Sequence, residues 1–228
     1  MNTLFIRLEG PLQSWGLRAR WGERDTALEP TKSGVIGLLA CALGWGTDRQ
    51  EDIRSLSAGL RCGVRVDRPG RLLIDYHTVV GGVRSADGRI KITQSTREPE
   101  TVVSHRFYLC GASFLVAVQG EDATIARVSD ALQAPVWPPF LGRRSCPPTE
   151  PLWAGTGDYA NLMEALTAHD LGARAPKAVR LILDCPPGKG NRRNDEPLSF
   201  VERTYAPRYV REQSVAVGTI SVTVGDEK

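Results

Sequence analysis

Two apolar periods alternate along the first 132 residues, and that alternation most constrains what the chain can fold into. Leu4, Ile6 and Leu8 recur at every second position against Thr3, Phe5, Arg7 and Glu9, which predicts a strand with one face in a core. Gly10-Pro11-Leu12-Gln13-Ser14-Trp15-Gly16 breaks it. Leu17 to Pro30 then reads as a polar loop longer than a connection needs, the kind of segment that carries function. Thr31 or Ser33 caps a helix reaching about Leu43 that is apolar nearly all round, with Gly34 and Gly37 placed for close backbone approach, so the helix is expected to lie buried against a sheet.

Leu60, Cys62, Val64 and Val66 return to the strand period, and Pro69-Gly70 turns the chain into a further strand at Leu72 to Val79. Gly81-Gly82 and Asp87-Gly88, with Arg84, Arg89 and Lys91 around them, predict a basic hairpin. It holds too few large apolar residues to bury a face alone, so it must project or dock. Tyr108 to Val118 predicts the principal core strand, and Ile125, Val128 and Leu132 behind Glu121 and Asp122 space out a short amphipathic helix. This order predicts an α+β chain, ferredoxin-like or like an RNA-recognition motif, with a hairpin inserted at about 79–105. Residues 1–150 would form that domain and 151–228 a small, mostly β region. The latter is expected to hold a helix near Asn161 to Ala168, a strand at Val179 to Asp184, and strands near Phe200 to Arg211 and Ser214 to Val224. Pro186 to Pro197 is polar enough to be mobile.

Composition narrows the function classes. Of 228 residues, 41% are hydrophobic and 24% charged, which excludes a wholly disordered or fibrous chain. A net charge of +3 is too small to indicate nucleic-acid binding alone. The basic set is 24 Arg and 5 Lys, a bias that suits phosphate forks and base stacking but equally follows from GC-rich coding. Residues 61–106 carry nine basic against five acidic side chains and 174–211 nine against four, which marks where a nucleic-acid footprint would lie. Cys41, Cys62, Cys110, Cys146 and Cys185 lie far apart with no C-x-x-C pair, so neither a zinc cage nor a disulfide framework is expected, and a reducing cytosol fits. Met1 to Glu9 lacks the apolar core of a secretory signal, and the longest apolar run, Gly34 to Leu43, is half of what a bilayer requires, so no membrane role is expected.

Three places invite chemistry. At Thr31-Lys32-Ser33-Gly34 the free N–H groups of a helix start, with hydroxyls and an ammonium, suit a phosphate, although the spacing is not a Walker motif and an ordinary capped helix reads the same way. Leu141-Gly142-Arg143-Arg144-Ser145-Cys146-Pro147 puts two adjacent guanidiniums on a loop fixed by Gly and Pro, suited to an anion, to carboxylate partners or to plain solvation. Tyr76-His77 and His105-Arg106-Phe107-Tyr108 would meet at the base of the hairpin. There they could cleave RNA without metal, grip it without reaction, or be satisfied inside the fold. His169 reads as isolated surface.

Together with Pro30 to Gly34, Gly37-Leu38-Leu39, Asp75-Tyr76-His77-Thr78-Val79 and Tyr108-Leu109-Cys110, the Gly10 to Gly16 and Leu141 to Pro147 segments resemble the CasD subunits of Cascade, the type I-E CRISPR surveillance complex. The motifs run in order over about the first two thirds of the chain and weakly on to Asp195-Glu196-Pro197 and Arg203 to Val210. The resemblance implies a non-catalytic RNA-binding subunit of the repeat-associated superfamily, without cofactor or metal. It would cap one end of the complex, hold the repeat-derived 5′ handle of the crRNA, contact the backbone subunit CasC and the large subunit CasA, and meet target DNA only through the complex. It implies RNA contacts at Gln13, Trp15, Lys32, Ser33, His77, Arg84, Lys91, Arg106, Tyr108, Arg143, Arg144, Ser145 and Cys146, with residues 79–105 as a thumb. Lys32 stands where an Arg is more usual and Gly111 where an Asp is; a Lys cannot fork onto phosphate. The competing functions are a metal-independent endoribonuclease using His77, Tyr76 or His105, and a pure assembly protein whose arginines meet partner carboxylates.

Overall fold

The computed structural model describes residues 1–17, 22–82, 84, 88–90, 92–171 and 177–216. In chain order the strands are β1 (Thr3–Glu9), β2 (Leu12–Gln13), β3 (Glu23–Arg24), β4 (Arg61–Arg68), β5 (Arg71–Val79), β6 (Val102–Cys110), β7 (Ser113–Gln119), β8 (Trp153–Gly157), β9 (Ala178–Cys185), β10 (Asn191–Ser199) and β11 (Thr204–Ala216). The helices are α1 (Lys32–Ala42), α2 (Gln50–Gly59), α3 (Asp122–Gln133) and α4 (Leu162–Ala168). Seven strands form one antiparallel sheet in the order β10-β11-β9-β4-β7-β1-β8, and a second sheet has the order β2-β6-β3 with β5 also paired to β6. Strands from both sides of residue 150 thus enter the large sheet. Among the described residues no helix is long and apolar enough to cross a membrane.

Both faces of the large sheet are covered. Leu4, Ile6 and Leu8 of β1 and Phe114, Val116 and Val118 of β7 pack with α1, α2 and α3 on one side. Phe5, Leu115 and Ala117 point the other way, onto Leu162, Ala165 and Leu166 of α4. That second cluster explains why β7 is apolar at nearly every position instead of alternating.

The expected single strand from Tyr108 to Val118 is two strands in two sheets. Gly111, at φ +64°, and Ala112 break the run, while its hairpin partner breaks opposite at Gly70, at φ +72°. A Cβ at Gly70 would lie 2.7 Å from the Cys110 carbonyl oxygen, so the paired strands bend together only because no side chain stands there. Three more expectations change, and two elements are new. Helix α2 and strand β8 were not foreseen. Pro186 to Pro197, expected to be mobile, contains most of β10, whose Asp195 is buried. The two expected final strands are one continuous strand, Thr204–Ala216, and residues 217–228 lie outside the described region. His169 is half-buried, with its ring 4.7 Å from that of Phe5 and its Nε2 3.0 Å from the Ala154 carbonyl oxygen.

Arg65 shows why a count of cations does not map a footprint. Its side chain is fully buried; it pairs with Asp67 at 2.6 Å and donates to the carbonyl oxygens of Leu166 and His169, each at 2.6 Å, and of Asp170 at 3.1 Å. A cation thereby closes the C-terminal end of α4 and ties it to β4. Arg65→Ala is expected to cost about 3–5 kcal/mol in chemical denaturation, because Asp67 and three carbonyls lose their partner; a loss under about 1 kcal/mol would overturn the clamp.

Glu9, at the end of β1, pairs with Arg68 at 2.5 Å and accepts from the Ser113 hydroxyl at 2.9 Å. Partial burial works to raise its pKa, and these two bonds outweigh that, so it titrates below its usual 4.5. A lowered folded-state value means stability that is complete above the ordinary carboxylate range and is lost as pH falls through the folded-state value. The stability difference between the wild type and Glu9→Gln is therefore expected to be largest at neutral pH and to shrink in acid; urea midpoints measured against pH check it.

Candidate nucleic-acid interface

Three chain segments meet where β1 ends. Gln13 is buried, and its Nε2 donates to the carbonyl oxygens of Leu8 at 3.0 Å and Ala112 at 2.9 Å, while its Oε1 accepts from the Trp15 indole at 3.1 Å. Trp15 is thereby laid on the first turn of α1, where a Cβ on Gly34 would come within 2.8 Å of the ring. The Trp15 backbone bonds both ways to the polar loop, its N–H to the Thr26 hydroxyl at 2.8 Å and its carbonyl to the Ala27 N–H at 2.7 Å. Ser14 donates from its N–H to the Leu141 carbonyl at 3.1 Å.

The third segment, 141–147, is a closed turn. Leu141 N–H bonds the Cys146 carbonyl at 2.7 Å and Cys146 N–H bonds the Arg143 carbonyl at 2.8 Å. Gly142 has φ +87°, and a Cβ there would lie 1.8 Å from the Ser14 carbonyl oxygen. The two neighbouring arginines part company on this turn. Arg143 points inward, its guanidinium bonding the carbonyls of Phe107 at 3.2 Å, Arg24 at 2.7 Å and Asp25 at 3.2 Å, and lying 4.7 Å from the centre of the buried Tyr108 ring. Arg144 and Ser145 are exposed; Arg144 has no ion pair among the described residues. Cys146 is buried, and burial raises its thiol pKa.

The start of α1 is already occupied by carboxylates. Thr31 caps the helix, accepting from Gly34 N–H at 3.2 Å. Lys32 N–H donates to Asp195 at 3.0 Å and its buried ammonium pairs with Glu196 at 2.7 Å, while the Ser57 hydroxyl donates to the same Glu196. Arg208 joins Asp195, at 2.6 Å, to Asp184. Burial opposes the charge on Arg208, but these carboxylates more than offset it and raise its pKa. Burial, with Asp184 nearby, pushes the neighbouring Cys62 thiol up to about 12. The alternative kept open for Thr31 to Gly34, a capped helix, thus describes the local geometry: contact between the Lys32 ammonium and another anion requires the Glu196 pair to open. The side chain of Ser33 is also nearly covered, its hydroxyl turned to Thr31 at 3.3 Å.

Between these segments lies an open cleft of about 270 Å³, whose wall takes in Ser14 to Gly16, the Thr31, Ser33 and Gly34 helix start, Gly142, Phe140, Phe200 and Tyr205. Sequence reasoning missed the last three and the buried Asp195 as a helix partner. No periodicity links a polar C-terminal segment to a helix 160 residues earlier, so only the weak Asp195-Glu196-Pro197 motif hinted at it.

The β5–β6 ribbon carries the remaining candidates. Tyr76 stands opposite His105, and their rings meet edge to face at 5.5 Å. His77 stands opposite Ser104, 3.7 Å from Asp75, and Arg106 stands opposite Asp75, so these four belong to the other face of the ribbon. The pleat therefore does not collect His77, Tyr76, His105 and Arg106 into one cluster. Arg84 is exposed and bonds the Gly88 carbonyl at 3.2 Å beyond the ribbon; Lys91 lies outside the described residues.

The family model for CRISPR-associated protein (Cas_Cas5) matches residues 3–211. The chain is 35% identical to the CRISPR system Cascade subunit CasD of Escherichia coli (strain K12), across 74% of this chain and 77% of that protein. Among solved structures it resembles one described as a Cas protein, with TM-score 0.74, 38% identity and 96% and 98% of the two chains covered. It also resembles a chain of a CRISPR RNA-guided surveillance complex, with TM-score 0.74, 33% identity and 94% and 90% covered. With a match across nearly its whole length to one family and 35% identity to a member over 74% of its residues, the chain belongs to the Cas5 family of CRISPR-associated proteins.

Proposed function

We propose that this protein is a non-catalytic RNA-binding subunit of a type I-E Cascade complex, working in the cytoplasm, that holds the 5′ handle of the crRNA and caps the CasC backbone beside the CasA large subunit. The observation that carries this reading is the cleft between the 14–16 loop, the start of α1 and the 141–147 turn, walled in part by Phe140, Phe200 and Tyr205 and adjoined by a groove that takes in the exposed Arg144. Aromatic walls beside an exposed guanidinium suit a single strand held by its phosphates while its bases splay onto aromatic surface. Gly16, Ser33, Arg106, Arg144, Ser145 and, farther out, His77 and Arg84 would touch RNA, and we propose the same role for Lys91. Gln13, Trp15, Lys32, Tyr108, Arg143 and Cys146 would act by holding the surface in shape.

We read β1, α1, β4, β7, α3 and β8, in the sheet order β4-β7-β1-β8, as a ferredoxin-like unit within residues 1–150 and just beyond, and residues 79–105 as a thumb that docks on a neighbouring subunit. The region 151–228 serves it by carrying Asp195 and Glu196 to the helix start. The exposed apolar ribbon, with Leu72 at 54%, Ile74 at 55% and Tyr76 at 66% exposure, supports a protein partner there. The nuclease reading draws only on the Tyr76–His105 pair, since in-line cleavage needs an acid and a base flanking the same phosphate and His77 stands on the opposite face of the ribbon from that pair. Incubation of the pure protein with repeat RNA and chelator tests it: cleavage abolished by His105→Ala would defeat the scaffold.

Affinity for handle RNA is expected to fall with salt, with log–log slope about 0.7 per phosphate neutralised, and Arg106→Ala and Arg144→Ala should each reduce the slope by roughly that amount. Gly142→Ala is expected to displace Ser14, to cost about 1–3 kcal/mol through its strained φ, and to weaken RNA retention. Unchanged salt slopes in both arginine variants would favour the assembly-protein reading.

A further inference from the structure

We infer that the groove between the end of α1 and the 136–140 segment is a slot for one unstacked nucleobase, with Arg144 at its mouth for the adjoining phosphate. The inference rests on the RNA-binding reading and adds to it a site outside the main cleft. The groove measures about 570 Å³, within the roughly 300–1,000 Å³ of ordinary small-ligand pockets, and its walls include Trp45, Trp137, Phe140, Pro139 and Arg144.

Its aromatic walls are fixed before any ligand arrives. Val136 N–H bonds the Ala42 carbonyl at 2.9 Å, Trp45 N–H bonds the Ala40 carbonyl at 2.9 Å, and the Cys41 thiol sits 3.6 Å and 3.7 Å from the carbonyl oxygens of Trp137 and Pro138. Gly44, at φ +71°, has Val136 so close that a Cβ would come within 2.8 Å of it. The segment is thus pinned to the helix end, yet Trp137 keeps 44% of its surface exposed. Leaving a large flat ring open on an immobile support favours a flat partner.

Charge and continuity select a nucleotide over an apolar peptide. Among the described residues no carboxylate lines the groove. Arg127 stacks on Trp45 at 5.1 Å and Arg49, which is paired with Asp52, at 5.5 Å; neither Arg127 nor Arg144 has an ion pair among the described residues, so three guanidiniums against one paired carboxylate leave the surroundings positive. Gly37, Cys41 and Phe140 border both this groove and the main cleft, and Gly37 raises no side chain between them. A strand lying in the cleft can therefore turn one base over that saddle without leaving the protein.

The test uses the full-length protein, a fluorescent oligoribonucleotide copied from the 5′ end of the co-purifying RNA, and a set of the same oligonucleotide with one abasic ribose stepped along it. Trp137→Ala is expected to weaken the intact oligonucleotide about tenfold, to leave binding of one particular abasic member unchanged, and to be largely rescued by Trp137→Phe. Arg144→Gln should weaken the same position in its salt-dependent part. If wild type binds RNA but Trp137→Ala loses nothing, or loses equally with every abasic member, the slot is overturned while the RNA-binding reading stands. Should Trp137→Ala keep its RNA affinity and instead drop a protein subunit from the assembled complex, the groove holds a peptide and the slot is again overturned. Absence of RNA binding by the wild type would remove the RNA-binding reading and the slot with it.

Discussion

The amide of Gln13 fixes the geometry around which everything else is arranged. One buried side chain closes the end of β1 through Leu8, the start of β7 through Ala112, and the indole of Trp15. A buried amide with all these partners strongly favours a single arrangement, because each lost bond would strand a polar group away from water. Trp15, held through its indole N–H, packs against Gly34 and so sets how close the 10–16 loop stands to the first turn of α1. The floor of the cleft is in this sense decided inside the core.

The other half of the cleft depends on residues far along the chain. Asp195 and Glu196 arrive on β10 and place two negative charges at the positive end of α1, where they satisfy Lys32 twice, at its N–H and its ammonium. Arg208 and Asp184 hold that pair in turn. A buried cluster of this kind tolerates no unmatched member, since removing one charge leaves its partner desolvated. The C-terminal strands are thus structurally part of the first helix. The same accounting reduces the free positive charge: Arg65, Arg180, Arg193 and Arg208 are spent on carboxylates within the fold.

Periodicity made β1, α1, α3 and β9 legible, since each buries a face against a core and the pattern records burial directly. It failed where burial and partner diverge. Tyr108 to Val118 is apolar at nearly every position, but its first part joins the small sheet and its second the centre of the large one, and the pattern is blind to which neighbour covers a face. Strand β10 is polar because its buried residues serve ion pairs, so it carries no apolar signature at all. Strand β8 is short and only half-buried at the sheet edge, with too few residues to establish a period. The motif segments pointed to the right region of the molecule, and three of them meet at one cleft. What they did not reveal is which side chains face into it.

The Arg143–Arg144 doublet shows why that last distinction matters. Adjacent guanidiniums read as one anion fork, but a chain that turns through Gly142 at φ +87° sends successive side chains in different directions. Arg143 spends its donors on three carbonyls and its face on Tyr108, becoming a rivet between the polar loop, β6 and the 141–147 turn. A guanidinium so engaged gives up several hydrogen bonds before it can meet phosphate, whereas Arg144 gives up none among the described residues. The rivet is nevertheless what lets its neighbour act, because an exposed cation on a fixed turn binds an anion without first losing the freedom of a loop. Order at one residue and availability at the next are two outcomes of a single backbone bend.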